Sequence, residues 1–188
     1  MKVIQMWKDY NYPEQLIDCA RSVVQIVGEK NYEILCTNFE IPKRLGNVSF
    51  KNFDEEFDRI LNLQKNIDWW NKYCTTNFFK SDLIRLWYAS QYDDLFYLDI
   101  DICLHQIINM DMSGVPYFNK KDPLCMFAVN GGSDKFDLFL NDLLPKHEPE
   151  PMIICLIMVM DSGLPFFKGK FFPESSFDRI DFGKKWKK

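Results

Sequence analysis

The sequence has no apolar run as long as the roughly 18 residues that indicate a membrane-spanning helix. Its first residues, MKVIQMWKDY, also lack the apolar core of a secretory signal. The most apolar stretch, residues 152–160, is too short to cross a bilayer. These absences predict a protein without a membrane span that resides in the cytoplasm.

An excess of basic residues is also missing, because 23 Lys and Arg stand against 27 Asp and Glu, for a net charge of −4. Surfaces that bind nucleic acids normally carry a basic excess, and the sequence contains no zinc-finger, RNA-binding or helix-turn-helix pattern. We therefore expect no nucleic-acid partner.

Closely spaced cysteine pairs are absent as well. The six cysteines are scattered at positions 19, 36, 74, 103, 125 and 155. Zinc sites and disulfide frameworks usually have short, repeated cysteine spacings. The pattern predicts six reduced cysteines in the core of a protein from a reducing compartment.

What is present indicates a folded α/β domain. A chain of 188 residues, 47% of them hydrophobic and 16% aromatic, suffices for one well-packed domain. Residues 3–7 and 32–36 have the pattern of strands, and between them a helix begins at Pro13-Glu14 and stops at Gly28. This order predicts a βαβ unit, the start of a nucleotide-binding half-sheet.

A further helix is predicted around residues 79–90, where apolar side chains recur at helical spacing. Asp82 and Arg85 are three residues apart and share one face of it, with Ser81 at the edge of that face. One interpretation is an exposed ion pair worth about 0.3–0.5 kcal/mol. The residues that follow favour a functional interpretation.

The apolar run at residues 95–98 predicts a strand buried on both faces, and it ends in Asp99-Ile100-Asp101. Carboxylates two residues apart point the same way. At about 4 Å and an effective dielectric near 20 they repel by roughly 4 kcal/mol, so a cation or hydrogen-bond donors must compensate them. Mg²⁺ or Mn²⁺ suits such oxygen ligands, and ligands of open α/β sheets bind beyond the carboxyl ends of strands.

Together these residues resemble a known motif. They are Ser81, Asp82 and Arg85 on the helix, followed about a dozen residues later by Tyr97-Leu98-Asp99-Ile100-Asp101. The pattern is similar to the DXD-containing sugar-binding region of metal-dependent glycosyltransferases with the GT-A fold. That family includes Golgi initiating mannosyltransferases, capsule transferases, catalytic domains of clostridial glucosylating toxins and short algal-virus glycosyltransferase domains. Where the family usually has Gly-Gly before its Tyr-Leu-Asp, this chain has Asp94-Leu95.

The resemblance implies an α/β fold with a mixed, mostly parallel central sheet flanked by helices. It implies a single catalytic domain over residues 1–188, with a nucleotide-binding half, about residues 1–104, and an acceptor-side half, about residues 105–188. It also implies that Ser81, Asp82 and Arg85 contact a nucleotide-sugar. Asp99 and Asp101 would bind a divalent cation, Mn²⁺ or Mg²⁺, on the diphosphate of that donor.

Positions near both ends of the chain extend the resemblance. Trp7 ends the first strand in a pattern similar to the family's Ile-x-Gln-x-Trp, whose Trp stacks on uracil, and Asn38 occupies the place of an asparagine after the second strand. Asp181 precedes Trp186 by the spacing that separates an acidic metal ligand from a donor-contacting Trp in the toxins. A buried strand-end tryptophan and a frayed basic tail remain the alternatives.

The function that the resemblance implies is transfer of a hexose from a nucleotide-sugar, with UDP favoured, to a glycan or other hydroxyl acceptor, with retention of anomeric configuration. Asp82, Arg85 and Asp101 are the candidate catalytic residues. Two alternatives stay open: a non-catalytic nucleotide-sugar-binding or assembly module, and a metal-dependent nucleotidyltransferase or phosphoesterase, which needs a further acidic cluster. The abrupt end of the chain also suggests further domains in a longer protein.

Overall fold

A mixed seven-stranded sheet forms the centre of the computed structural model, which describes residues 1–8, 13–38, 40–106, 111–119, 124–151, 153–154 and 170–179. In spatial order its strands are β3 (Ser49–Asn52), β2 (Tyr32–Cys36), β1 (Lys2–Trp7), β4 (Leu95–Asp99), β7 (Met126–Ala128), β6 (Tyr117–Phe118) and β8 (Lys170–Phe171). The first four are mutually parallel, β7 is antiparallel to both of its neighbours, and β6 pairs parallel with β8. A separate antiparallel ribbon pairs β5 (Ile102–Leu104) with β9 (Phe177–Arg179).

Helices cover both faces of the sheet. Helices α1 (Glu14–Val27) and α2 (Glu40–Lys43) pack on one face, and α3 (Phe53–Asn62), α4 (Ile67–Tyr73), α5 (Asn77–Gln91) and α6 (Ser133–Leu138) pack on the other. Helix α6 continues into a π turn, Phe139–Leu143, and a 3-10 turn, Leu144–Lys146, and further 3-10 turns are Glu29–Asn31 and Glu174–Ser176. Within the described ranges, the helices are all too short or too polar to cross a membrane.

The predicted fold class and its first βαβ unit are confirmed. Helix α1 is preceded by Pro13 and ends at Gly28, whose positive φ of 83° suits a residue without a side chain. Asn52 caps α3, since its side chain accepts hydrogen bonds from the N–H groups of Asp54 and Glu55. Gly132 holds the N-cap position of α6, and the hydroxyl of Ser133, the first residue of that helix, donates to Asp93 Oδ1 over 2.6 Å.

The prediction that all six cysteines are reduced is wrong for one pair. Cys19 and Cys103 form a disulfide, with Cα atoms 4.4 Å apart, because helix α1 packs against strand β5. Cys36, Cys74 and Cys125 are buried free thiols, and Cys155 lies outside the described residues. Since disulfides persist mainly in oxidising compartments, the cysteines no longer support a cytoplasmic location.

Candidate functional site

A cavity of about 640 Å³ opens beyond the carboxyl ends of strands β1 and β4. The parallel pairing of these strands sets Met6 beside Asp99, so that the two strand ends and the turn after β4 meet there. Among the described residues, the lining consists of polar Lys8, Asn77, Ser81, Arg85, Asp99, Asp101 and Arg179 and the largely apolar Met6, Trp7, Phe53, Phe78, Tyr97 and Ile100. The structure thus brings together Trp7, Ser81, Arg85, Asp99 and Asp101 from the sequence-based set.

Gln5 fixes the turn that carries the two carboxylates. This side chain is fully buried, and its amide Nε2 donates to the carbonyls of Asp99, over 3.1 Å, and Ile102, over 3.5 Å. Its Oε1 accepts a hydrogen bond from the Tyr32 hydroxyl over 2.8 Å. Both the NH2 group and the oxygen of a buried side-chain amide need hydrogen-bond partners, and here the turn and Tyr32 provide them. Strands β1 and β2 together therefore hold the turn in place.

Asp99 ends strand β4 on the same side as Tyr97, because side chains alternate along a strand. The Tyr97 hydroxyl donates to Asp99 Oδ1 over 2.7 Å, and Arg85 Nη1 lies 3.7 Å from the same oxygen. Burial raises the pKa of Asp99 to about 6, against the opposing effects of the Arg85 guanidinium and the Tyr97 hydrogen bond. The carboxylate is therefore ionised in most molecules at neutral pH.

Asp101 lies in the turn after strand β4, and its side chain contacts Arg179 of strand β9. Its Oδ2 accepts a hydrogen bond of 3.0 Å from Arg179 Nε, and Arg179 Nη2 lies 3.6 Å from Asp99 Oδ2. The other oxygen of Asp101, Oδ1, is buried and has no hydrogen-bond partner among the described residues. One of the two carboxylate oxygens of Asp101 is thus removed from water without gaining a hydrogen bond from the described part of the protein.

Arg85 is locked into the wall of the cavity with 5% of its side chain exposed. Its Nη1 donates to the Leu124 carbonyl over 2.6 Å and its Nη2 to Ser81 Oγ over 2.7 Å. The guanidinium carbon lies 4.8 Å from the centre of the Tyr97 ring, in cation–π contact. The planar group is therefore held in one orientation between helix α5 and strand β4.

Asp82 lies behind Arg85 and does not line the cavity. It is 1% exposed, its Oδ2 accepts a hydrogen bond from the Tyr73 hydroxyl over 2.9 Å, and its Oδ1 lies 3.6 Å from Arg85 Nε. In this structure it contacts the arginine rather than the open space, and its contact with a donor remains a prediction.

The remaining sequence-based candidates lie apart from the cavity or outside the described residues. Asn38 is not among the lining residues, and its Oδ1 accepts a hydrogen bond from the Glu40 N–H over 3.0 Å. Asp181 and Trp186 fall in the range that the structure does not describe, so their roles stay predictions.

Solved structures with a similar chain path include transferases. PaToxG glycosyltransferase matches with a TM-score of 0.53 and 16% identity over 74% of this chain and 58% of that chain. A transferase double mutant with two cysteine-to-serine substitutions matches with a TM-score of 0.53 and 11% identity over 81% of each chain. The chain has a GT-A-like glycosyltransferase fold. Its sequence matches no protein-family model and no curated protein.

The galactosyltransferase LgtC, in complex with donor and acceptor sugar analogs, matches this GT-A-like chain with a TM-score of 0.42 and 16% identity, over 69% of this chain. The matched region spans 58% of the chain length of both PaToxG and LgtC.

Two carboxylates at the edge of the cavity are oxygen ligands of the kind that hard divalent cations prefer. Within the described ranges, no group of three or more His, Cys, Asp or Glu side chains is placed to hold a metal. Magnesium-like ions, however, are commonly bound through one or two carboxylates together with substrate phosphates. Asp99 and Asp101 supply two such groups at the edge of the cavity, and the uncompensated Asp101 Oδ1 is an oxygen that a cation would satisfy.

Sequence reasoning missed several lining residues. Tyr97 had a usable signal, because it stands two residues before Asp99 and therefore on the same strand face. Asn77 and Phe78 form the first turn of helix α5 and would have followed from its N-terminal boundary. Arg179 had no local signal, since it reaches the site through the pairing of β9 with β5, where it lies opposite Ile102.

Proposed function

We propose that this protein is a metal-dependent glycosyltransferase that transfers a hexose from a nucleotide-sugar, most favourably a UDP-sugar, to a hydroxyl group of a glycan or other acceptor. The observation that carries the proposal is the shared cavity of Trp7, Arg85, Asp99 and Asp101 at the strand ends of a GT-A-like fold. Its volume of about 640 Å³ is within the range of small-molecule sites.

The cavity offers complementary surfaces for each part of such a donor. Trp7 provides an aromatic surface for a base. Asn77, in the first turn of helix α5, and Ser81, one turn later, line the same space, and the positive end of a helix favours a diphosphate. Arg85, held in one orientation, adds a guanidinium that can donate to phosphate or sugar oxygens.

In the proposed reaction the bond between the anomeric carbon and the diphosphate oxygen breaks, the acceptor oxygen bonds to that carbon, and the acceptor hydroxyl loses its proton to solvent or a base. The leaving diphosphate gains negative charge as this bond breaks. When bound at Asp99 and Asp101, a divalent cation supplies Lewis-acid stabilisation of that charge. Arg85 adds a fixed positive charge nearby and orients the donor. We also propose that the anomeric configuration of the transferred sugar is retained, because the DXD-containing region resembles that of glycosyltransferases that retain it.

Calorimetry with UDP tests the proposal, using the wild type and Asp101→Asn in the presence and absence of Mn²⁺. We expect metal-dependent binding by the wild type and a loss of at least tenfold in affinity in the variant, because a neutral amide lacks the negative charge with which the carboxylate attracts a divalent cation. Asp178→Asn is the matched control, since Asp178 lies next to Arg179 but outside the cavity, paired with His105. Binding of UDP without any need for a divalent cation would contradict the proposal.

A second measurement separates the enzyme from the alternatives. Release of free hexose from UDP-sugars, screened beside GDP- and dTDP-sugars, is expected from a transferase whose donor is slowly hydrolysed by water. Metal-dependent binding without sugar release would favour a non-catalytic module. Release of a nucleoside monophosphate would favour a nucleotidyltransferase or phosphoesterase.

A further inference from the structure

Arg179 occupies the position in which a cation on the carboxylate pair would be expected. Its Nε donates to Asp101 Oδ2 over 3.0 Å, and its Nη2 lies 3.6 Å from Asp99 Oδ2, so one guanidinium spans both side chains inside the cavity. Two like charges this close need compensation, and in this structure the arginine supplies it.

The position of Arg179 follows from the fold rather than from the reach of a long side chain alone. Strand β9 pairs with β5, which begins directly after Asp101, and this pairing sets Arg179 opposite Ile102. Strand β5 is in turn tied to helix α1 by the Cys19–Cys103 disulfide and by the hydrogen bond from the Leu104 N–H to Ser22 Oγ, 3.2 Å long. The β5–β9 ribbon, which is fixed to helix α1, therefore positions Arg179 next to the carboxylates.

The charged side chains of the cavity determine which ligands can bind there. The carboxylates of Asp99 and Asp101 face the guanidinium groups of Arg85 and Arg179, and Lys8 also lines the cavity. The two carboxylates repel a diphosphate that approaches them directly, whereas a divalent cation bound between them would attract it. A cation shared by both carboxylates, however, meets the Arg179 guanidinium, which already spans Asp101 Oδ2 and Asp99 Oδ2, even though Asp101 Oδ1 has no hydrogen-bond partner among the described residues.

We propose that Arg179 is the resident counter-ion of the Asp99–Asp101 pair, that it competes with a divalent cation for Asp101, and that once displaced it binds the diphosphate of the donor. The competition stands on the geometry of the carboxylate pair, and the diphosphate contact rests on the function proposed above. Arg179 then lowers the affinity for the cation alone and raises the affinity for nucleotide when the cation is present.

The test is a pair of titrations on the whole protein, first with Mn²⁺ alone and then with UDP at saturating Mn²⁺. For Arg179→Ala we expect Mn²⁺ to bind roughly 5-fold more tightly, because the competing charge-assisted contact is gone. We expect UDP to bind roughly 10-fold more weakly, because a charged donor to the phosphates is lost. Arg179→Lys retains the charge without the planar fork and should lie between the wild type and the alanine variant in both titrations.

Arg21→Ala is the matched control, since Arg21 is a surface arginine of similar exposure, 42% against 44% for Arg179, paired with Asp18 outside the cavity. It should leave both titrations unchanged. A merely structural role of Arg179 would weaken both affinities together, because a loosened ribbon misplaces the carboxylates; that result, or an unchanged Mn²⁺ affinity, overturns the proposal. Tighter Mn²⁺ binding in the variant combined with no UDP binding in any protein would leave the competition standing and overturn the diphosphate contact along with the transferase function.

Discussion

Cys19 of helix α1 and Cys103 of strand β5 form a disulfide between residues 84 apart in sequence, and Cys103 stands two residues after Asp101. The bond therefore connects the carboxylate-bearing turn to a helix on the face of the sheet opposite α5. The neighbouring hydrogen bond from the Leu104 N–H to Ser22 Oγ reinforces the same contact. The carboxylate pair is thus held by strand β4 from one side and by α1 from the other.

The first prediction concerns the stability that this bond provides. A cross-link that closes a loop of this length restricts the unfolded chain by up to about 4.5 kcal/mol in the chain-entropy model. We expect a reductant to lower the melting temperature of the wild type by several degrees and to leave that of the Cys19→Ser/Cys103→Ser double variant unchanged. Calorimetric melting with and without dithiothreitol measures this, and a thiol count under denaturing conditions should rise by two on reduction. Equal melting temperatures and equal thiol counts would show that the bond does not form.

The second prediction tests Trp7 as a stacking surface. Replacement by alanine should weaken UDP binding roughly 5- to 150-fold, the range of aromatic–base stacking. Because stacking is tolerant of base identity, GDP should lose affinity by a similar factor in calorimetric titrations. Trp87→Ala is the control, since Trp87 lies outside the cavity, 4.6 Å from the Arg59 guanidinium. If the Trp7→Ala variant binds nucleotide as tightly as the wild type, Trp7 does not stack on the base and only packs against its neighbours.

The third prediction separates positioning by Asp82 from direct contact with sugar. Since Asp82 contacts Arg85 and Tyr73 in the wall of the cavity, Asp82→Asn should loosen the guanidinium without removing a group from the open space. UDP and a UDP-sugar should then lose affinity by the same factor, about fivefold for a weakened charged contact. Tyr73→Phe removes the hydroxyl that holds Asp82 and should shift both affinities in the same direction by less. If only the UDP-sugar loses affinity, Asp82 touches the sugar itself.

Local patterns were sufficient to predict the elements that build the site. The strand ending at Asp99 begins with a continuous apolar run, and the one ending at Trp7 is apolar from Val3 onwards except for Gln5. Such runs indicate buried strands without any tertiary information. Helix α5 likewise follows from apolar residues at helical spacing. The meeting of these elements at one edge then follows from the general rule for ligand sites in α/β sheets.

What could not be predicted depends on contacts between distant segments. Cys19 and Cys103 come together because α1 packs on β5, and no cysteine spacing encodes that packing. Arg179 reaches the carboxylates through a ribbon whose strands have three residues each, too few for a periodic signal. The resemblance implied that Asp82 contacts the donor, whereas its contacts with Tyr73 of α4 and with Arg85 depend on how these side chains pack and are not visible in the helical pattern.

The fourth prediction concerns a buried charge network on the far side of α5. Glu56 accepts hydrogen bonds from the Tyr88 hydroxyl, over 2.6 Å, and from Arg59 Nε and Nη2, over 2.8 Å each, and Lys51 Nζ lies 3.2 Å away. Burial alone would raise the pKa of this carboxyl, but the hydrogen bonds from Arg59 and Tyr88 and the charge of Lys51 outweigh it and lower the pKa from 4.5 to about 2.

A pKa that is depressed in the folded state makes the ionised group stabilising above the unfolded pKa, and this stabilisation is lost as the pH falls through the folded pKa. We therefore expect the contribution of Glu56 to be complete above about pH 4.5 and to disappear between about pH 4.5 and 2. It should amount to roughly 2 kcal/mol, less than the full shift implies, because Arg59 and Lys51 are partly exposed.

Glu56→Gln should lower the free energy of unfolding at pH 7 by about that amount and flatten its decline in acid, as measured by urea unfolding at several pH values. Glu55→Gln makes the same chemical change at the adjacent, exposed position and should shift the free energy by less than about 0.5 kcal/mol with the acid decline intact. Parallel acid profiles for the wild type and Glu56→Gln would contradict the low pKa, since a carboxyl that titrates alike in both states contributes nothing to the pH dependence of folding.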